Sequence, residues 1–590
     1  MSTFRKFYSI SVLQLVALSL VLTTGVYAGP QKAHTQASSA RPQYPCNLPV
    51  PGLQRRAPGK LLAWHEITPK VASDQPDFPA GARAWRIQYV STGLNNKEKI
   101  GVCGVIVAPD QAADIHTHVT EGRRTGRVVA WSHGTLGMIP RCQPSYTPES
   151  LIWGPTPYGI GAVQWGSEQS GDAHQGSAAE GILASMIKDG LIIAASDYHV
   201  DRSGRRALHP YALGKIEGAN IIDSIRAGHE LLQKIYRREY PLDGYDVVTW
   251  GHSQGAHAAM FAGQLLQSYT EATARARDPV LALSGVALEA APAMLVTPTD
   301  RSPMALGFSD LDWLAHAQTG MTGVPEPIPV PPFIFSFLFN AWATLGNSNG
   351  IYRPNAMPAA PDVGKLDPRA LISPAAESAR TLEKMSQLCW SSEDGAKIAR
   401  LALPYKTKPF LAREVADGPI IDGFQHGGFD QTCAGQPPKN LANWCAWFQY
   451  NNLGPLGVND LEKLPKRGDQ LAPVYIVQGS NDQLVHCVAA ADAQDHIPPP
   501  ERCQASVLYE SLREVYCPLD AKHSYLELNI WRAEEGLTQA NHSDITGLVA
   551  ASNPENPSYR GSRLHSFISS AFDGTLSPGC SASLVSSWPQ

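Results

Sequence analysis

What the sequence lacks narrows it first. The ten cysteines contain no Cys-x-x-Cys pair, which removes a zinc ribbon. No basic patch interrupts a formal charge of −5, so a nucleic-acid partner has no electrostatic footprint. Beyond residue 28 no apolar run reaches the roughly 20 residues that a membrane-spanning helix needs, so no stable membrane anchor is expected. Internal repeats are absent too. His133 invites a metal reading but has no clustered partner, so neither a metal nor a cofactor is expected.

The N-terminus carries Arg5 and Lys6, an apolar run centred on Val12 to Leu22, and small or neutral residues ending at Ala28. That layout predicts a signal peptide over 1–28. Gly29, where a lipoprotein would have cysteine, argues against a lipid anchor. Cleavage would remove two positive charges and no acids, taking the formal charge from −5 to −7. All ten cysteines lie in the exported part, and an even count in an oxidising compartment, extracellular or periplasmic, means disulfides.

Residues 29–60, rich in Pro, Gln, Ser and Ala, predict a poorly ordered leader, with the first strand near Ala84. RIQYVSTG and KIGVCGVIVAP form a hairpin pattern; RVVAWSHG, LIIAASDY, YDVVTW, GVALEAAP and VYIVQGSND are short apolar strands. Helical spacing runs through GILASMIKDG, through Ile216 to Arg237, and through AHAAMFAGQLL. Strands alternating with helices predict a mostly parallel central sheet flanked by helices. From Leu295 to Asp469 the alternation stops, which reads as a large inserted lid or cap rather than a loop. The core is then split into 61–294 and 470–590, around an insertion at 295–469.

GHSQG, Gly251 to Gly255, lies between the apolar run YDVVTW and a helical pattern. A G-x-S-x-G pentapeptide alone arises by chance about 0.3 times in a chain this long, so its flanks carry the weight. A strand before and a helix after are what a nucleophile elbow requires. A serine hydroxyl needs a histidine base, oriented in turn by an acid. Folds with this elbow order them as Ser, acid, His. Asp482 ends the strand VYIVQGSND, its plainer role being a helix cap; Asn481 beside it is neutral and cannot stabilise an imidazolium. Downstream stand His486, His496, His523, His542 and His565. His542 is preferred because His523 precedes the alternating run at Leu526 to Ile530, which reads as the last strand, whereas the base belongs on the loop after it. The oxyanion donors are expected to be the backbone N–H of Gln254 and that of Thr135 or its neighbour Gly134.

SHGT with CQPSY (Cys142 to Tyr146), ASDY at Asp197, HPYALG at His209 to Gly214, DSIRA at Asp223 to Ala227, GHSQGAHA, NHSDITGL and FISSAFDG occur in that order, spread along the chain from about residue 85 to 580. On these motifs the chain resembles the secretory lipase family, fungal lipase A and its bacterial relatives, within the α/β-hydrolase superfamily. The resemblance implies an α/β-hydrolase fold, Ser253 as nucleophile, Asp482 as acid, His542 as base, and a lid between the sixth and seventh strands. It departs at SHGTLG, and in a longer Asp482-to-His542 segment holding an extra His523. It also implies disulfides Cys142–Cys389 and Cys503–Cys580. Proximity in sequence adds Cys433–Cys445 and Cys487–Cys517, leaving Cys46 with Cys103.

The function expected is secreted hydrolysis of carboxylic esters, of small molecules or lipids such as triacylglycerols, with PPFIFSFLF of the insertion (Phe335 or Phe337) against the acyl chain. A lipid–water interface is one setting for it. Alternatives are a serine peptidase or acyltransferase with the same residues, or an inactive binding protein on the same fold.

Overall fold

A computed structural model describes residues 50–585 except 69–78, 94–98, 147–181, 199–208, 299–308, 320–330, 348–365, 457–463, 489–502, 519–523, 532–541 and 543–562. Shorter breaks fall at 121, 391, 407–408, 413–414, 416–419, 422–423, 426–427, 435–436, 483 and 486. The expected signal peptide, residues 29–49 of the leader with Cys46, and His486, His496 and His523 therefore lie outside the described residues. Those described belong to one compact unit, Pro45–Gln590.

Its centre is an 11-stranded sheet: β1 (Leu61–Glu66), β2 (Ala82–Thr92), β3 (Lys99–Pro109), β4 (Thr117–Thr120), β5 (Arg123–Ser132), β6 (Ile192–Ser196), β7 (Gly244–His252), β8 (Val280–Glu289), β9 (Val474–Gly479), β10 (Tyr525–Trp531) and β11 (Gly579–Val585). In space the order is β1-β2-β3-β6-β5-β7-β8-β9-β10-β11, with β4 on β5. From β6 through β11 neighbours are parallel, while β1, β2 and β3 are antiparallel additions and β2–β3 is the expected hairpin.

Consecutive residues of the parallel strands point to opposite faces, and both faces are buried. Val128, Ala130, Val247 and Ile476 face one core with helices α2 (Gly214–Tyr236) and α3 (Gln254–Thr273). Val129, Trp131, Val248 and Val477 face the other, closed by α1 (Ile182–Lys188) and the C-terminal helix Arg563–Asp573. Burial on both sides explains why these strands read as continuous apolar runs.

Between β8 and β9 the chain runs through helices, among them α4 (Asp310–Thr319), α5 (Pro331–Asn347), α6 (Ser392–Ala402), α7 (Gly428–Ala434) and α8 (Lys439–Tyr450). These are the sixth and seventh strands when edge strand β1 and short β4 are left out. The run PPFIFSFLF lies within one helix, α5, because its two prolines, Pro331 and Pro332, occupy the first turn, where no N–H is needed. Next come α9 (Gln504–Tyr516) and α10, the C-terminal helix Arg563–Asp573.

Several expectations need correction. The leader ends early: Leu53–Arg55 form a turn of 3-10 helix, the Gln54 side-chain amide donates to the Lys99 carbonyl at 2.7 Å and accepts the Lys99 N–H at 3.0 Å, and β1 pairs with β2 well before Ala84. β10 is not the last strand, since β11 pairs with it in parallel. That strand, GCSASLV, lies on an exposed edge, and its Cys580, Ala582 and Leu584 alternate with serines too briefly and with too little apolar bulk to mark it. The disulfides Cys142–Cys389 and Cys433–Cys445 are present, but Cys503 pairs with Cys487, and Cys517 with Cys580. Cys503 and Cys517 stand at opposite ends of α9, about 20 Å apart at 1.5 Å per residue, so each cystine closes at its own end of the helix.

Candidate active site

Ser253 sits between β7 and α3 with φ 56° and ψ −128°, a backbone conformation that side chains rarely adopt. The turn is forced sterically. A Cβ on Gly251 would meet the Gly255 carbonyl oxygen at 2.3 Å, and one on Gly255 would meet that of Ser132 at 1.9 Å. Only glycine fits at either flank. The turn is anchored by the Ser253 N–H, which donates to the Glu289 carbonyl at 2.8 Å, and α3 opens with the Ala256 N–H on the Ser253 carbonyl at 2.9 Å. Strain of this kind persists where surrounding structure over-determines it.

Asp482 lies on the turn after β9, fully buried. Its Oδ1 accepts the N–H groups of Leu484 and Val485 at 3.0 and 2.9 Å. Gln478 braces the same turn, donating to the Val485 carbonyl at 2.8 Å and accepting the Ala505 N–H at 2.9 Å. Asp482 pairs with Cys487 in a small ladder, and the Cys487–Cys503 cystine ties that ladder to the start of α9. The His542 Nδ1–H donates to Asp482 at 2.8 Å (Oδ2) and 3.0 Å (Oδ1). This leaves Nε2 as the ring's proton acceptor.

Ser253 and His542 line one cavity, with about 720 Å³ of empty space counting its open mouth. Gln254 and Thr135 line it too, and apart from Asp310 and Tyr211 the remaining lining is apolar, including Leu295, Leu311, Leu314, Ile334, Leu338, Trp390, Leu484 and Val485. Ile334 and Leu338 come from one face of α5. Phe337 instead backs Tyr211 at 5.7 Å, and Phe335 stacks among Phe339, Phe410 and Phe429. The helix thus reaches the cavity with the residues next to those expected.

The Thr135 loop is held from three sides. The Thr135 hydroxyl pairs with the Tyr211 hydroxyl at 2.7 Å. Asp197, at the end of β6, accepts the Ser145 N–H at 2.8 Å and the Ser145 hydroxyl. Cys142–Cys389 and the Trp390 N–H, 2.7 Å from the Leu136 carbonyl, join the loop to the helical segment.

The fold is that of an α/β-hydrolase. No family model matches the chain, and no curated protein matches it. Among solved structures it is similar to Candida antarctica lipase A in its closed state (TM-score 0.49, 15% identity, covering 93% of this chain and 90% of that one). It is also similar to the rice cell wall degrading esterase LipA from Xanthomonas oryzae (TM-score 0.45, 16% identity, covering 87% of this chain and 98% of that one).

Two residues beside the elbow went unnoticed in the sequence. His252 donates from Nε2 to the His542 carbonyl at 2.9 Å, their rings 4.8 Å apart. Burial, with the neighbouring His542, holds its pKa down to about 3, so it stays neutral. Glu289, opposite His252 in the β7–β8 register, is pushed up to about 8 by burial. The signal was there for Glu289: one acid inside the apolar strand GVALEAAP. Nothing marked His252 except its place in the pentapeptide. Among the described residues no three His, Cys, Asp or Glu side chains gather as a metal site.

Proposed function

We propose that the protein is a secreted serine hydrolase of carboxylic esters, with lipid esters such as acylglycerols as its substrate class. One observation carries the reading: a serine held at φ 56° shares an apolar cavity with a histidine whose Nδ1–H is bonded to a buried aspartate. In this reading Ser253 Oγ attacks the ester carbonyl while His542 Nε2 takes its proton. Asp482 stabilises the imidazolium. The N–H groups of Gln254 and Thr135 receive the oxyanion. His542 then protonates the departing alcohol, and water, activated by the same histidine, hydrolyses the acyl-enzyme. The acyl chain lies along Leu295, Ile334, Leu338 and Trp390, under residues 295–469 acting as a lid. Secretion is supported by the four cystines above, by a disulfide-bonded Cys103, and by the N-terminal pattern. No described helix is long and apolar enough to cross a membrane.

The test is a panel of p-nitrophenyl esters of rising chain length, an aminoacyl anilide, and an alcohol acceptor, with fluorophosphonate labelling of wild type and Ser253→Ala. Ester turnover with labelling only of the wild type supports the reading. Anilide cleavage would make it a peptidase, acyl transfer to the alcohol a transferase. Ester turnover by Ser253→Ala at a tenth of wild type or more would remove Ser253 as nucleophile.

A further inference from the structure

Gln254 lines the cavity, and its side chain reaches into a buried network beneath it. The Gln254 side-chain amide donates to Glu217 Oε1 at 2.6 Å and to His209 Nε2 at 3.2 Å. The same Glu217 Oε1 accepts the N–H of Ala212 at 3.1 Å. Ala212 stands at φ 55°, the strained step of the turn His209–Leu213, and its neighbour Tyr211 is the one whose hydroxyl holds Thr135. One carboxyl oxygen therefore grips the Gln254 side chain directly and reaches Thr135 through the turn that carries Tyr211. Glu217 is fully buried, and burial raises its pKa against the opposing pull of its hydrogen-bond partners. Its other oxygen lies 3.9 Å from His257 Nδ1, and the His257 Nε2–H donates to the Asn451 carbonyl at 2.7 Å. Asn451 Oδ1 accepts the Gly214 N–H at 3.1 Å, closing the network back onto the start of α2.

We propose that Glu217 is a positioning residue that holds the Gln254 peptide and the 209–213 turn in the geometry an oxyanion hole needs. This rests on the serine-hydrolase reading above. The elbow fixes where the Gln254 peptide lies, but Thr135 sits on a loop far away in sequence, and the Glu217 contacts tie that loop, through the 209–213 turn and Tyr211, to the Gln254 side chain. A network satisfied inside a low-dielectric interior makes the donors' directions rigid before substrate arrives. A shift of about 1 Å at such donors costs roughly 100-fold in rate.

The experiment compares Glu217→Leu and Glu217→Gln on a short p-nitrophenyl ester, with active sites counted by fluorophosphonate titration. Binding of an alkyl trifluoromethyl ketone, which forms a tetrahedral adduct on the serine, is measured in parallel. Glu217→Leu is expected to lose about 30- to 100-fold in kcat per titrated site, with KM within threefold. Affinity for the ketone should fall by the same factor. Glu217→Gln keeps the acceptor oxygen and should recover most of that loss. If Glu217→Leu does not fold, Gln254→Met severs the same link from the other side and should show the same split of kcat from KM. A folded Glu217→Leu or Gln254→Met with kcat and ketone affinity within threefold of wild type overturns the role of Glu217 alone. A wild type that neither turns over esters nor is labelled removes the serine-hydrolase reading, and this inference with it.

Discussion

The two halves of the cavity floor are built by opposite means. The Ser253 half is local: five consecutive residues between a strand and a helix, locked by two glycines whose replacement would put a Cβ into backbone. The Asp482–His542 half joins loops 60 residues apart and is held by hydrogen bonds and a cystine. Steric locks fail abruptly and take the fold with them. Hydrogen-bonded assemblies fail by degrees, because each partner removed leaves the others in place.

Gly255→Ala should break the local half altogether, since its Cβ would stand 1.9 Å from the Ser132 carbonyl oxygen. The expected result is no soluble, cooperatively melting protein. A variant melting within about 5 °C of wild type would mean that the elbow yields at small cost. Asp482→Asn should leave fold and KM intact while lowering kcat by roughly 10³- to 10⁴-fold, because the amide favours the wrong imidazole tautomer. Turnover within tenfold of wild type would move the acid elsewhere.

His542→Ala should slow fluorophosphonate labelling of Ser253 by at least about 100-fold, the range of a lost general base, while His523→Ala labels normally. The reverse pattern would exchange the two histidines. Ile334→Asp or Leu338→Asp, on the cavity face of α5, should cost about tenfold more on long-chain than on short-chain esters, since only long chains reach a charge there. Equal losses would assign these residues to folding.

The smallest effect tests the join between the halves. Glu289 accepts the Ser253 N–H through its carbonyl, and its carboxyl has a pKa raised from 4.5 to about 8. Folding therefore takes up a proton here, so this group's contribution to stability is complete below pH 4.5 and is lost as pH rises through about 8. Glu289→Gln has no such loss. Its melting temperature relative to wild type should rise between pH 4.5 and 8 and stay level on either side. A pH-independent difference would show that Glu289 ionises normally in the folded protein.

Legibility followed locality. The elbow, the β2–β3 hairpin and the strand leading into the Asp482 turn were readable because strand and helix periods survive in short windows. β11 was not, since an edge strand facing solvent needs no bulky apolar residues and its alternation of Cys580, Ala582 and Leu584 with serines is a weak signal. The pairing of Cys487 with Cys503 was hidden because the helix that separates Cys503 from Cys517 sets the connectivity, whereas spacing along the chain does not. Phe335 and Phe337, expected against the acyl chain, share the apolar run with Ile334 and Leu338, but helical phase turns the latter two to the cavity instead.

By itself the sequence determined the strand–turn–helix around Ser253, because the steric demand for glycine at positions 251 and 255 acts within five residues. It also determined a sheet buried on both faces, because continuous apolar strands have no solvated side. Which acid oxygen His542 meets, that His252 stays neutral beside it, and that a carboxyl on α2 grips the residue after Ser253 were decided only by tertiary structure. Hydrogen bonds and burial join groups whose separation along the chain carries no signal, and their strength depends on the water that folding excludes.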